Sequence, residues 1–186
     1  MSLARERLLS ILRERSFERK KVTLASGRES DFFVDCKQSI LTAEGHARVG
    51  ELMFEALGKL PSCEAVAGVE LGGCPLASAV SLHSFQVGRP LPAFYVRKEV
   101  KDHGSRKLVE GDKSLRKDMP VVILEDVVTT GGSTLKAVDK LRLAGVQVVG
   151  VVALVDRLEG GAEAIAAAGL PLVALFDRLD FIPAGT

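Results

Sequence analysis

Apolar residues recur along this chain at two different periods. Over residues 3–15, Leu3, Leu8, Leu9, Ile11 and Leu12 fall at helical spacing and predict an amphipathic helix. Residues 22–35, VTLASGRESDFFVD, read as two short strands joined by a turn over residues 26–30. From Thr42, a residue type that caps helices, Val49, Leu52, Met53, Ala56, Leu57 and Leu60 form one face of a long helix ending near Gly58 and Pro61. The pattern then becomes strand, loop, helix. Residues 65–69 are a short apolar strand, and residues 70–74 a glycine-rich loop. Pro75 stands where a first helical turn tolerates it, ahead of a helix reaching about Phe85. Further strands are expected at 92–96, 121–124, 146–155 and 172–176, with helices over 132–144 and 162–168.

Strands that alternate with helices require crossover connections and hence a parallel sheet, here of about five strands flanked by helices. The chain is therefore expected to be a single α/β domain over residues 1–186. Residues 1–41 do not follow the alternation and are predicted to form a small hood over the carboxyl edge of the sheet, with residues 42–186 as the core.

Composition narrows the function. Hydrophobic residues make up 47% of the 186-residue chain and charged residues 26%, with a formal net charge of +1. A general nucleic-acid or membrane-surface role needs a basic excess that is absent. No apolar run approaches the roughly 18 residues that span a bilayer. The start, MSLARERLLSILRER, has no signal-peptide core, and Glu6 and Glu14 oppose a transit peptide. Cys36, Cys63 and Cys74 are odd in number and lack metal-ligand spacing, which fits reduced thiols in a cytoplasm.

The chemistry concentrates in residues 121–134, VVILEDVVTTGGST. A buried strand runs into Glu125 and Asp126, then Val127 and Val128, then Thr129, Thr130, Gly131, Gly132, Ser133 and a helix. Ligands of open parallel sheets bind beyond the strands' carboxyl ends. A small-residue turn opening into a helix offers free amides and a positive dipole to an anion. Two carboxylates just before it point to a ligand with hydroxyls and phosphate, such as a ribose 5-phosphate. The competing reading is an ordinary strand–turn–helix with polar residues in its loop.

Residues 97–118 form a second signal, a long polar stretch with Arg97, Lys98, Lys101, Arg106, Lys107, Lys113, Arg116, Lys117 and His103. It reads either as a basic lid over a polyanion or as a solvated loop or hairpin. The glycines at 68–73 serve a tight turn or let amides approach a second phosphate. Phe32 and Phe33 face opposite ways in a strand, one toward the core and one free to line a pocket for a planar ligand. Arg157 follows a strand and could grip a carboxylate or simply pair with Asp156 or Glu159. His46 and His83 fall on helices and read as structural. Neither a nucleotide-triphosphatase P-loop nor a dinucleotide fingerprint is present.

The run ILEDVVTTGGST resembles the phosphoribosyl-pyrophosphate motif of type I phosphoribosyltransferases. Three more segments resemble the orotate-specific branch of that family: residues 23–30 followed by Phe32-Phe33-Val34-Asp35, the stretch Arg97-Lys98-Glu99-Val100-Lys101-Asp102-His103-Gly104, and Asp156-Arg157. The resemblance implies transfer of ribose 5-phosphate from phosphoribosyl pyrophosphate to orotate, giving orotidine 5′-monophosphate and pyrophosphate in pyrimidine biosynthesis. It implies Glu125, Asp126 and Lys101 as catalytic residues, Thr129 to Ser133 around the 5-phosphate, and Arg97, Lys98, Lys101 and His103 around pyrophosphate. Arg157 with Thr129 would meet orotate. Mg²⁺ would accompany pyrophosphate, and a homodimer would share its lids across subunits. Two departures stand out: some relatives carry lysines where this chain has Ala25 and Gly72. The rival readings are a transferase for another base, or a non-catalytic sensor of phosphoribosyl pyrophosphate that binds nucleic acid.

Overall fold

A computed structural model describes residues 2–23, 29–99 and 107–182. Helix α1 (Leu3–Arg15) opens the chain and is capped by the Ser2 side chain. Strands β1 (Phe17–Thr23) and β2 (Glu29–Val34) pair antiparallel as a separate two-stranded sheet. The first strand starts five residues earlier than expected, and Glu29 and Ser30, read as turn, belong to the second. The intervening residues 24–28, with Ala25 and Arg28, lie outside the described residues.

A short helix, α2 (Lys37–Ile40), precedes α3 (Ala43–Leu57), and its four residues carried no periodic signal. At the start of α3 the Thr42 hydroxyl accepts the Gly45 N–H at 3.1 Å, the cap its residue type predicts. The core follows as β3 (Ala65–Val69), α4 (Gly73–Gln86), β4 (Ala93–Val96), β5 (Val109–Glu110), β6 (Pro120–Val128), α5 (Gly132–Leu143), β7 (Gln147–Asp156), α6 (Gly161–Ala167), β8 (Leu172–Asp177) and α7 (Arg178–Phe181).

The main sheet has the order β5-β4-β3-β6-β7-β8. Five strands are parallel, as the alternation predicts, and β5 adds an antiparallel edge by pairing Tyr95 with Glu110 and Val96 with Val109. The polar stretch 97–118 is thus not one open loop: its second half returns to the sheet, where Val109 is buried, and then makes a single 3₁₀ turn at Asp112–Ser114.

Alternation within each strand sorts the core into two layers. Val66, Val122, Leu124, Val152 and Leu154 face α3 and α4, while Ala65, Ala67, Val121, Ile123 and Val151 face α5 and α6. Both faces are buried, so the strands read as continuous apolar runs rather than alternating ones. The N-terminal unit closes on the first layer. Phe17, Phe32 and Phe181 pack with ring centroids 5.3–5.5 Å apart. Arg5 donates to the Leu175 carbonyl at 2.6 Å, and Arg178 pairs with Asp31. These contacts join α1, β1 and β2 to β8 and α7.

Candidate active site

The acids expected just beyond a strand lie within it, because β6 continues to Val128. The reason is pairing: Glu125, Val127 and Val128 oppose Ala153, Val155 and Asp156 of β7, so the ladder carries the polar residues along. Alternation then separates the two acids. Glu125 turns toward the start of α5, where the Ser133 hydroxyl donates to Oε1 at 3.5 Å. Asp126 turns the other way, toward the loop after β3: a Cβ placed on Gly72 would lie 1.9 Å from Asp126 Oδ2. The acids therefore flank the strand end from opposite faces.

Their electrostatics differ from those of surface carboxylates. Glu125 is 6% exposed, and Oε2 has no hydrogen-bond partner among the described residues. Burial, followed by the Asp126 charge, pushes the Glu125 carboxyl up to about 8, against the pull of Lys98 and Ser133. Burial likewise raises Asp126, opposed by the Val127 N–H, which Oδ1 accepts at 3.0 Å, and by Lys37 and Lys98. Buried acids with too few donors are costly alone and become favourable when a ligand brings hydroxyls or positive charge.

The cradle beyond β6 forms as its glycines require. Gly131 sits at φ 79°, a left-handed conformation that side chains disfavour, and starts α5 at Gly132. The amides of Gly132, Ser133 and Thr134 have no acceptor within the helix and open toward an anion. Thr129 is half-buried, while Thr130 is exposed. Val127 and Val128 have a different place from the cradle. The Val128 side chain is core and its carbonyl accepts the Arg157 N–H at 3.0 Å.

The other expected residues that the structure describes have these places. Phe32 takes the core face, fully buried, and Phe33 is left half-exposed beneath the Lys20 ammonium, 3.9 Å from its ring centroid. Arg157 is buried and donates to the Phe32 carbonyl at 2.9 Å and to Glu159 at 3.1 Å. The ion pair with Glu159 is thus present, but as a buried pair rather than a surface one, and the separate bond to the Phe32 carbonyl links this segment to β2. Arg97 pairs with Glu110 at 3.0 Å. Glu70 accepts the Lys98 N–H at 2.8 Å, which turns its carboxylate to the exit of β4. A cavity of about 290 Å³ between β4 and α5 is lined by Val69, Val96, Lys98, Ser133, Lys136 and Lys140. Lys101 and His103 lie outside the described residues.

Two neighbours of Asp126 were not foreseen. The Cys36 thiol lies 3.8 Å from its carbonyl, and the charge of Lys37, bound to Asp35 at 2.5 Å, pulls the Asp126 carboxyl down. Their signal was position alone, directly after Phe32-Phe33-Val34-Asp35. Burial raises the Cys36 and Cys63 thiols and pushes Cys74 up to about 11, so none is a thiolate at neutral pH. His46 meets the Ile40 carbonyl at 3.2 Å and His83 packs edge-on to Phe54, both structural as read. Among the described residues no group of three or more His, Cys, Asp or Glu could hold a metal, and no helix is long and apolar enough to cross a membrane.

Residues 40–168 match the phosphoribosyl transferase domain family. The orotate phosphoribosyltransferase of Sorangium cellulosum (strain So ce56) is 80% identical over 179 residues, 96% of this chain and 93% of that protein. The enzyme of the same description from Bradyrhizobium sp. (strain ORS 278) is 47% identical over 184 residues, 97% of this chain and 98% of that one. The fold also superposes on Mycobacterium tuberculosis H37Rv orotate phosphoribosyltransferase solved with 5-phospho-alpha-D-ribosyl 1-diphosphate, with a TM-score of 0.78 and 37% identity, covering 96% of this chain and 98% of the other.

Proposed function

This chain belongs to the orotate phosphoribosyltransferases of the phosphoribosyl transferase family, and we propose from that premise a role for each part of its site. The enzyme transfers ribose 5-phosphate from phosphoribosyl pyrophosphate to orotate, giving orotidine 5′-monophosphate and pyrophosphate, a step of pyrimidine biosynthesis. One observation carries the assignment of roles: Glu125, buried with an unpartnered oxygen, and the half-buried Asp126 flank the end of β6 directly before an anion cradle.

The first-turn amides of α5, with Thr129 to Ser133, hold the 5-phosphate. Glu125 and Asp126 accept the ribose hydroxyls. As the bond to pyrophosphate breaks, the sugar acquires oxocarbenium character, and the same carboxylates stabilise that charge. The raised carboxyl of Glu125 fits this role, because an arriving donor or cation supplies what the empty pocket lacks. Arg97 and Lys98, with Lys101 and His103 from the adjoining segment, neutralise pyrophosphate. Arg157 contributes a positive edge for the orotate carboxylate, and Phe33 an aromatic face.

Type I phosphoribosyltransferases use Mg²⁺ with phosphoribosyl pyrophosphate. The two carboxylates of Glu125 and Asp126 fit an ion bound mainly through the substrate's own oxygens, as Mg²⁺ prefers, and it would supply neutralisation of the leaving pyrophosphate. No lysine is available at position 72, and a side chain there would displace the Asp126 carboxylate. Lys37 is the cation that offsets this. The enzyme acts in the cytoplasm as a homodimer whose Lys101 serves the neighbouring site, so mixed Lys101→Ala and Asp126→Asn subunits should recover part of the activity.

The direct test is spectroscopic. Orotate absorbance should fall only when phosphoribosyl pyrophosphate and Mg²⁺ are both present. Turnover with a purine or uracil but not orotate would replace the acceptor, and binding of phosphoribosyl pyrophosphate without turnover of any base would point to a sensor.

A further inference from the structure

Strand β4 loses its backbone partners just as it reaches the site. The Val96 carbonyl accepts the Glu70 N–H at 2.9 Å, and the Arg97 N–H still reaches the Leu108 carbonyl at 2.9 Å. The next three backbone groups are met by side chains. The Lys98 N–H donates to Glu70 Oε2 at 2.8 Å, and the Lys140 ammonium of α5 donates to the carbonyls of both Arg97, at 2.7 Å, and Lys98, at 2.6 Å. Successive carbonyls of an extended strand point to opposite edges. Two that converge on one ammonium require the chain to turn at Lys98, where the backbone does bend.

Holding a lysine in one place costs conformational entropy, and an exposed helical lysine ordinarily stays solvated. Here the side chain instead bridges two elements, gripping the dipeptide whose second member, Lys98, lines the same cavity as Ser133 of the cradle. Glu70 grips the same dipeptide from the loop that also bears Gly72, so the cradle side and the loop side share one anchor point.

We propose that Lys140 is a positioning residue for the transfer reaction: by bonding the carbonyls of Arg97 and Lys98 it fixes the turn that aims the Lys98 side chain at the pyrophosphate of the substrate. This rests on the function proposed above. Lys140 touches no reacting atom and acts through Lys98.

The test is a double-mutant cycle. Lys140→Met keeps the stem and removes the donors, and kcat/KM for phosphoribosyl pyrophosphate should fall roughly tenfold, the scale of a misplaced contact. Affinity for ribose 5-phosphate, which lacks pyrophosphate, should not change, and Lys140→Arg should restore most of the rate. The unfolding midpoint should barely move, because water can replace the ammonium at these carbonyls. In a Lys98→Ala background, Lys140→Met should cost less than about twofold more. Equal penalties in the two backgrounds, or wild-type kinetics in Lys140→Met, would overturn the proposal. Should Lys140→Met not fold, Lys140→Leu, which also lacks donors, runs the same cycle. If the wild-type enzyme fails to turn over orotate, the functional reading falls, and the cycle read as phosphoribosyl pyrophosphate affinity by calorimetry still decides the role of Lys140.

Discussion

Two neighbouring parallel strands, β6 and β7, each deliver a buried acid to the carboxyl edge, and their surroundings differ. At the end of β7, Asp156 accepts the Leu158 N–H at 2.9 Å and steadies a residue held at φ 57°. Next to it Arg157 is engaged by Glu159 and by the Phe32 carbonyl of β2. At the end of β6, Glu125 has one long contact to Ser133 and an unpartnered oxygen, and Asp126 looks onto a glycine that leaves it room. One acid, Asp156, is met by a local donor. The other is left incomplete, and a ligand must complete it. Burial raises the carboxyls of Glu125, Asp126 and Asp156 alike, so a shifted acid by itself does not mark the chemistry. The acids themselves differ in partnering: Asp156 has the Leu158 N–H, whereas Glu125 Oε2 has no partner among the described residues.

Substitutions should separate the two ends. Glu125→Gln and Asp126→Asn should each lower kcat by about 10²–10³, the scale of removing a preorganised electrostatic contact, with no loss of folding stability. Asp156→Asn should change kcat by less than about threefold, since Asp156 lies outside the cradle. Equal rate losses at 126 and 156, measured by orotate absorbance, would erase the distinction.

Gly72→Ala should come next. Its Cβ would collide with the Asp126 carboxylate, and the cheapest relief is to turn that carboxylate away. The expected result is at least about a tenfold drop in kcat with an unchanged circular dichroism spectrum. Wild-type activity in Gly72→Ala would show that the position of Asp126 is not critical.

Arg157→Met should be more moderate in rate and clearer in stability. It leaves Glu159 and the Phe32 carbonyl without their donor, a cost of about 1–3 kcal/mol in urea unfolding, and should raise KM for orotate more than KM for phosphoribosyl pyrophosphate. A loss of stability with no change in orotate KM would assign Arg157 to the docking of β2 alone.

The smallest effect is a pH trend of the ligand-free enzyme. The Glu125 carboxyl lies at about 8 in the folded protein against an ordinary value of 4.5, so the folded state holds a proton that the unfolded chain has released. Stability from this group should therefore be greatest below about pH 4.5 and decline as pH rises toward 8. Glu125→Gln should flatten that part of the profile of unfolding midpoint against pH. A profile identical to wild type would mean that Glu125 is not held protonated.

Much of the architecture was legible because each element carried its own signal. The β3 run was bounded by charge and glycine, α3 by Thr42, and the alternation implied parallel strands. The misses share a cause: they depend on partners distant in sequence. The polar half of β6 is strand because β7 lies beside it. Phe17 begins β1 only because β2 folds back onto it, and Val109 joins the sheet only because β4 offers an edge. Within the site, Gly131 and the α5 start were readable as a cradle, whereas Lys37 and Lys140 look like any surface lysine until the chain closes.

Sequence alone settled the α/β class, the motif from Glu125 to Ser133 and the family it belongs to, because periodicity and the order of residue types are local properties. Tertiary structure decided that Phe32 rather than Phe33 is core and that Glu125 and Asp126 face opposite sides. It also decided that Arg157 bonds the Phe32 carbonyl of β2, and that Glu70 and Lys140 bond the backbone at Lys98. Those outcomes turn on which face is buried and which donor lies within hydrogen-bond reach, and both are set only when segments far apart in the chain pack together.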